Sequence, residues 1–182
     1  ARSFEAMGCV VEEVKAPFDF ALASKTFLVH WFSAMQRLMR LFPESRHAEF
    51  DPSLAMQAQA AKAYTVPDVA DAQAARRELA HAWTQLTHRF DLLLTPTVAV
   101  APFEVGRNFP DGADGKPNTM WSPYTATFNL SRQPAATVPC GLSRAGLPIG
   151  LQIVSGHYRD ALVLAAAARF SREQPLGFAP IE

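Results

Sequence analysis

Cys140 is the first candidate for chemistry in this sequence. A glycine follows it in the stretch TVPCG, and His157 and Asp160 come later in the chain. A thiol, an imidazole and a carboxylate can form a triad in which the imidazole takes the proton of the thiol. A cysteine in such a stretch is also commonly a small buried side chain. Both interpretations stay open on the sequence, and the pattern favours the buried cysteine.

Other catalytic and binding signatures do not occur in the sequence. None of the ten serines lies in a GxSxG turn, and no glycine pattern matches a phosphate-binding loop. Two cysteines and five scattered histidines lack the spacing of zinc ligands. We therefore expect no metal, and no cofactor is indicated.

The composition excludes several classes of protein. The chain has 182 residues, 49% of them hydrophobic, with 17 basic and 17 acidic side chains and a net charge of zero. This length suits one domain with a real core. Zero net charge argues against a nucleic-acid partner, and no apolar run approaches the roughly 20 residues of a membrane span. No signal-peptide pattern is visible, so we expect a cytoplasmic protein without nucleic-acid or membrane partners.

The first half of the chain predicts one strand and several helices. The first eight residues resemble the end of a helix closed by Gly8, which suggests a chain that begins inside a larger domain. Asp68 is the predicted N-cap of the last of these helices. The expected elements are a strand at 9–14, a long helix with a wide buried stripe at 18–42, and two further helices at 54–64 and 68–89.

The second half predicts the sheet. Residues 90–97 form a continuous apolar run, typical of a strand covered on both faces. Residues 101–118 are rich in turn-forming residues and predict a long surface loop. Residues 134–141 and 147–155 predict an antiparallel hairpin with its turn at 144–146. Residues 157–160 are expected to lead into a final helix that runs to about 173, with Gly177 and Pro180 ending the chain. The order indicates an α/β fold with a mixed sheet.

An aromatic group lies between the loop and the hairpin. It comprises Trp121, Tyr124 and Phe128. Core packing is one interpretation, and the wall of a small-molecule pocket is the other. The residues alone favour core packing without excluding the pocket.

Four segments together resemble the C-terminal part of the amidase signature family. They are FDLLLTPT at 90–97, YTATFNL at 124–130, QPAATVPCG at 133–141 and GLPIGLQIV at 146–154. The resemblance implies that residues 1–182 are the C-terminal portion of one domain, in which a twisted mixed sheet is flanked by helices. It also implies hydrolysis of a carboxamide to a carboxylic acid and ammonia or an amine.

The resemblance supplies no catalytic residue for this chain. The family uses a serine nucleophile, a second serine in a cis peptide bond and a lysine base, and these lie in an earlier Gly/Ser-rich segment. None of the four lysines here occurs in that context. Trp121, Ser122 and Tyr124 match a segment near the substrate, so the resemblance makes them candidate substrate-binding residues. The chain alone is expected to be inactive.

A non-catalytic assembly module is the alternative function. An open sheet edge and an uncovered face would favour homo-oligomers. The amidase interpretation instead expects a small-molecule amide as the partner.

Overall fold

A computed structural model describes residues 1–175, and Gly177 and Pro180 lie outside this range. The helices are α1 (Arg2–Ala6), α2 (Phe20–Met39), α3 (Pro52–Ala60), α4 (Val66–Thr87), α5 (Pro123–Ser131) and α6 (Asp160–Glu173). The strands are β1 (Leu93–Pro96), β2 (Ala135–Leu142) and β3 (Pro148–Val154). Short 3₁₀ turns occupy Glu44–Glu49 and Ala61–Ala63. Within residues 1–175, no helix is both long and apolar enough to cross a membrane.

The three strands form one sheet in the order β1-β3-β2. The predicted hairpin of β2 and β3 is confirmed, and β1 also pairs with β3 in the antiparallel sense. The hairpin turn closes through a bond from Ser143 N to Leu147 O of 2.7 Å, with Gly146 at a φ of 76° that favours glycine. The α/β class is confirmed. Both pairings among the described strands are antiparallel, so the parallel pair of a mixed sheet is not among them.

Helices cover both faces of this sheet. Successive residues of a strand point to opposite faces, and Val154 and Ile153 of β3 accordingly enter different cores. Val154 packs with residues of α2, α4 and α5, while Ile153 packs with Phe4 of α1 and Phe170 of α6. Because Phe4 and Phe170 stack with ring centroids 5.6 Å apart, α1 is held against α6.

The predicted strand at 9–14 is wrong. These residues form no strand, and Val10 is 92% exposed. The backbone bond from Cys9 N to Phe4 O belongs to the end of α1 rather than to a ladder. β-Branched residues favour an extended chain, but a strand also needs a neighbour that accepts its hydrogen bonds. No described strand pairs with this segment.

The predicted N-cap of α4 is also wrong by three residues. Thr65 is the N-cap, and its hydroxyl accepts a bond from Asp68 N at 3.3 Å. The Asp68 carboxylate accepts a bond from Thr65 N at 2.8 Å. Asp68 is therefore the third helical residue and the second half of a capping box.

Two helix and strand predictions hold only in part. Helix α2 lies within the predicted 18–42, but its apolar stripe is not wholly buried, since Leu22 and Trp31 are 47% and 44% exposed. Strand β1 has a buried Leu93 and an exposed Pro96, so the chain does not cover it on both sides along its whole length. The loop at 101–118 and the final helix are confirmed.

Candidate functional site

A groove of about 1170 Å³ lies between residues 8–16 and strand β1. The irregular segment 8–16 forms one side of the groove, and β1 with the ends of α4 and α5 forms the other. It is large enough for a small-molecule ligand, since such pockets are typically about 300–1,000 Å³.

An aromatic wall lines the side of the groove next to α4 and α5. Trp83 and Phe128 are both buried and have ring centroids 4.6 Å apart. Tyr124 packs edge to face on Phe20 at 6.1 Å. Tyr124, Thr127 and Phe128 share one face of α5, because residues three and four apart are neighbours on a helix. This wall offers apolar contact to a ligand beside a single buried hydroxyl, that of Thr127.

The polar groups of the groove lie mainly at its rim. Glu12, Glu13 and Lys15 line it from the irregular segment, and Arg89 and Asp91 line it from the turn after α4. The Thr127 hydroxyl donates to Pro123 O at 2.9 Å. The groove therefore combines an apolar wall with charged groups of both signs.

Strand β1 is at the edge of the sheet, and within residues 1–175 no strand pairs with the side of β1 that lines this groove. Thr97 N donates to Gly150 O at 3.0 Å, so the N–H of Thr97 points towards β3. Ladder bonds alternate along an antiparallel strand, so Thr95 also faces β3, and the N–H and C=O of Leu94 point the other way. Leu94 lines the groove. Its backbone can therefore bind an extended chain or a ligand amide.

The predicted substrate-binding residues do not all reach the groove. Tyr124 lines it, whereas Trp121 and Ser122 are not among its lining residues. Trp121 packs edge to face on Phe103 at 5.5 Å, and Trp121 O accepts a bond from Ala99 N at 3.2 Å.

Ser122 occupies the N-cap position of α5. Its side chain makes no capping bond, and its carbonyl accepts the hydroxyl of Thr125 at 3.1 Å. Trp121 and Ser122 thus anchor the loop that leads into α5, beside the groove.

The thiol triad is wrong on geometry. Cys140 lies in a bulge of β2, while His157 follows the end of β3 that pairs with Ala135. Ala135 and Cys140 are five residues apart, which is roughly 17 Å along a strand. His157 Nε2 lies 2.8 Å from Ser131 O, at the far end of the strand from Cys140. Cys140 is also exposed, so the alternative of a buried strand cysteine is wrong too.

Several groove residues were not foreseen from the sequence. Trp83 and Thr127 lie in it, and so do both cysteines, Cys9 and Cys140. The helical spacing of Tyr124, Thr127 and Phe128 was the available signal for Thr127. Within residues 1–175, no group of three or more histidine, cysteine or acidic side chains is placed to hold a metal ion.

Comparison with known proteins identifies a family and several relatives. The Amidase family model matches residues 1–164. An acylamidase of Rhodococcus erythropolis is 36% identical over 135 residues, which are 72% of this chain and 28% of that protein. A glutamyl-tRNA(Gln) amidotransferase subunit from Alkaliphilus metalliredigens is 36% identical over 104 residues, or 56% of this chain and 20% of that protein.

The fold is likewise found in solved structures. A bacterial aryl acylamidase of the amidase signature family superposes with a TM-score of 0.77 at 28% identity, covering 96% of this chain and 38% of that one. The chain spans 28% of the length of the Rhodococcus acylamidase and 20% of the length of the Alkaliphilus amidotransferase subunit. Since the family model covers most of the chain, the chain belongs to the amidase family, whose members include the amidase signature enzymes.

Proposed function

We propose that this chain is the C-terminal portion of an amide hydrolase and supplies one wall of its substrate site. The observation that carries the proposal is the groove with the aromatic wall of Trp83, Tyr124 and Phe128, in a chain of the amidase family. The reaction is hydrolysis of a carboxamide to a carboxylic acid and ammonia or an amine. The names of the relatives, acylamidase and aryl acylamidase, support an acyl amide as the substrate.

The remaining residues of the reaction are proposed to lie outside this chain. The relatives are several times longer than the matched part, which leaves room for the serines and the lysine that the family resemblance implies. The chain alone is then inactive. No cofactor is needed, a nucleic-acid or membrane partner is not expected, and a cytoplasmic location remains a prediction.

A complementation experiment tests whether the catalytic residues lie outside this chain. This chain is mixed with a separately produced N-terminal part of a family member, and ammonia release from simple amides is measured. We expect release from the mixture and none from either part alone. Release by this chain alone would refute the claim that it lacks the machinery.

Substitutions in a full-length protein test the substrate wall. Tyr124 contacts the groove directly, so Tyr124→Ala should change the ratio of kcat/KM between aromatic and aliphatic amides by about tenfold, a difference of about 1.4 kcal/mol. Trp121→Ala should change that ratio less, because Trp121 acts through the loop before α5. Tyr124→Phe, which keeps the ring, is the matched control. An equal loss on both kinds of amide would count against a role in substrate choice.

A non-catalytic assembly role is the second candidate, and the unpaired edge of β1 favours it. If two copies of this chain pair through that edge, the dimer should dissociate when Leu94→Pro removes the N–H that faces the groove. Size-exclusion chromatography of both proteins decides this. A monomer before the substitution would eliminate the homo-oligomer.

A further inference from the structure

A polar pair lies on the face of the sheet that packs against α5. Thr95 of β1 and Gln152 of β3 are directly opposite each other in the antiparallel register. Gln152 Nε2 donates a hydrogen bond of 3.0 Å to Thr95 Oγ1. Successive residues of a strand point to opposite faces, so both side chains lie on the same face as the buried Leu93 and Val154. Along this face, a polar pair thus directly follows an apolar one.

Gln152 is buried although its side chain is polar. It is 3% exposed and lies in the central strand of the sheet. Burying an amide group costs free energy unless the group is hydrogen-bonded, and an apolar residue such as Val154 avoids that cost. The hydrogen bond to Thr95 offsets it here. The buried Gln152 side chain is therefore held against the Thr95 hydroxyl.

The Thr95 hydroxyl keeps a hydrogen for another partner. A hydroxyl has one hydrogen to donate and two lone pairs that accept. Because the amide nitrogen of Gln152 only donates, Thr95 Oγ1 is the acceptor of this bond and its own hydrogen is not used in it. Thr95 is half-buried and lines the groove. The groove thus contains a hydroxyl that Gln152 orients and whose hydrogen is available to a ligand.

A second hydrogen-bond donor of the groove also lacks an acceptor. Trp83 lines the groove and packs in one core with Leu93, two residues before Thr95 on β1. Its indole nitrogen Nε1 is buried and has no hydrogen-bond partner within residues 1–175. Nearly all buried donors in proteins are paired. Two such donors beside the aromatic wall are suited to a ligand that carries an acceptor oxygen.

We propose that the Thr95 hydroxyl, positioned by Gln152, donates a hydrogen bond to the carbonyl oxygen of an amide bound in the groove. Thr95 is the binding residue, and Gln152 is a positioning residue that acts through it. The identity of the ligand rests on the proposed amidase function, whereas the orientation of the donor rests on the geometry of the sheet. The ring of an aromatic amide then contacts the wall of Trp83, Tyr124 and Phe128.

Titration of the 182-residue chain with benzamide and with thiobenzamide tests the donor. The two probes have nearly the same shape, but sulfur accepts a hydrogen bond more weakly than oxygen. Binding is followed by the indole N–H NMR signal of Trp83. The signal of Trp31 is the internal control, because Trp31 Nε1 donates to Gln57 Oε1 at 2.6 Å and Trp31 does not line the groove. We expect a saturable shift of the Trp83 signal with benzamide and none of the Trp31 signal.

Thr95→Val is the decisive variant, because valine has nearly the shape of threonine without its hydroxyl. Losing one neutral hydrogen bond should weaken the binding of benzamide by about three- to tenfold, and that of thiobenzamide by less than about twofold. Thr95→Ala, which also lacks the hydroxyl, is the second variant, and Thr95→Ser should retain the preference for benzamide.

Thr97→Val is the matched control. The Thr97 hydroxyl donates to Thr137 Oγ1 at 3.4 Å, and Thr97 is not among the residues that line the groove. This substitution should leave the affinity for each probe within about twofold of its original value.

Gln152→Met tests the positioning role. Methionine has a similar length but donates no hydrogen bond, so the Thr95 hydroxyl is no longer oriented towards the ligand. We expect the preference for benzamide over thiobenzamide to fall as it does in Thr95→Val. A purely structural role of Gln152 would instead lower the affinity for both probes equally, or lower only the stability measured by urea unfolding.

Two results would overturn the proposal. One is the absence of a saturable shift of the Trp83 signal with benzamide. The other is an unchanged preference for benzamide over thiobenzamide in Thr95→Val and Thr95→Ala, each verified as folded by circular dichroism. Both results concern binding and not turnover, so the amidase function itself is judged separately, by the complementation experiment.

Discussion

Gly150 is the glycine of the sheet at which an added methyl group should cost the most. It lies in the central strand β3, and a Cβ there would lie 2.5 Å from Thr97 Oγ1, 3.0 Å from Thr97 Cβ and 3.2 Å from Thr137 Cγ2. The two threonines come from opposite sides of β3, and their hydroxyls are 3.4 Å apart. Neither can move away from the new methyl group without disturbing the other.

The expected cost of Gly150→Ala follows from these contacts. Inserting a methyl group into a well-packed site costs about 1–3 kcal/mol. Replacing a glycine inside a strand by alanine stabilises the folded state by about 0.5–1 kcal/mol, because alanine loses less conformational entropy on folding. The free energy of unfolding should therefore fall by about 1–2 kcal/mol. Urea unfolding followed by tryptophan fluorescence and by circular dichroism measures it, and the two probes should coincide.

Gly156→Ala is the matched control for this substitution. A Cβ at Gly156 would lie 3.4 Å or more from Thr87, which is ordinary contact distance. We expect this control to be neutral or stabilising by about 0.5 kcal/mol. If both substitutions have the same effect, the close approach at Gly150 is not what constrains the sheet.

A double-mutant cycle makes the reasoning stricter. Thr97→Ala removes the oxygen nearest to the new methyl group and leaves Thr97 Cβ in place. Gly150→Ala should then cost less in the Thr97→Ala background, with a coupling energy of about 0.5–1 kcal/mol. Additive effects would refute the assignment of the clash to Thr97.

Two further predictions concern the helices. Phe170→Ala should lower the free energy of unfolding by about 3–5 kcal/mol, because Phe170 is buried and stacks on Phe4. Leu164→Ala on the same helix, where the side chain is 66% exposed, should change it by less than about 0.5 kcal/mol; similar losses would contradict the packing argument. Hydrogen bonds from Thr65 lower the pKa of the Asp68 carboxyl below its ordinary 3.8. The stability that the ionised carboxylate adds to the fold is therefore fully present above pH 3.8, and it is lost as the pH falls through the lower pKa of the folded state. Thr65→Ala should therefore weaken the acid-induced loss of helical circular dichroism, and an unchanged acid profile would exclude the capping box as its source.

Local patterns were sufficient where a few neighbouring residues decide the structure. The turn around Gly146 predicted the β2–β3 hairpin, because its sequence allows one tight connection between two apolar runs. The helical spacing of apolar residues predicted α2, and the proline at position 43 predicted that it would end before the next segment. Even the misplaced N-cap of α4 was a local error, since Thr65 and Asp68 form one capping box.

Contacts between distant residues could not be predicted in this way. Residues 9–14 have strand-forming side chains, yet whether they form a strand depends on a hydrogen-bonding partner elsewhere in the chain. Cys140 and His157 are only 17 positions apart in the sequence, but the length of β2 places them at opposite ends of the sheet.

The amino-acid sequence by itself determined the family, the hairpin and most of the helices, because motifs and periodicity are properties of short segments. It also directed attention to Trp121, Ser122 and Tyr124, whose role in substrate binding remains a prediction. Only the tertiary structure decided that Tyr124 lines the groove while Trp121 and Ser122 lie beside it. It alone brought Arg76 of α4 to the end of α5, 54 residues away. Such placements follow from how separate elements pack, and packing is decided by the whole chain at once.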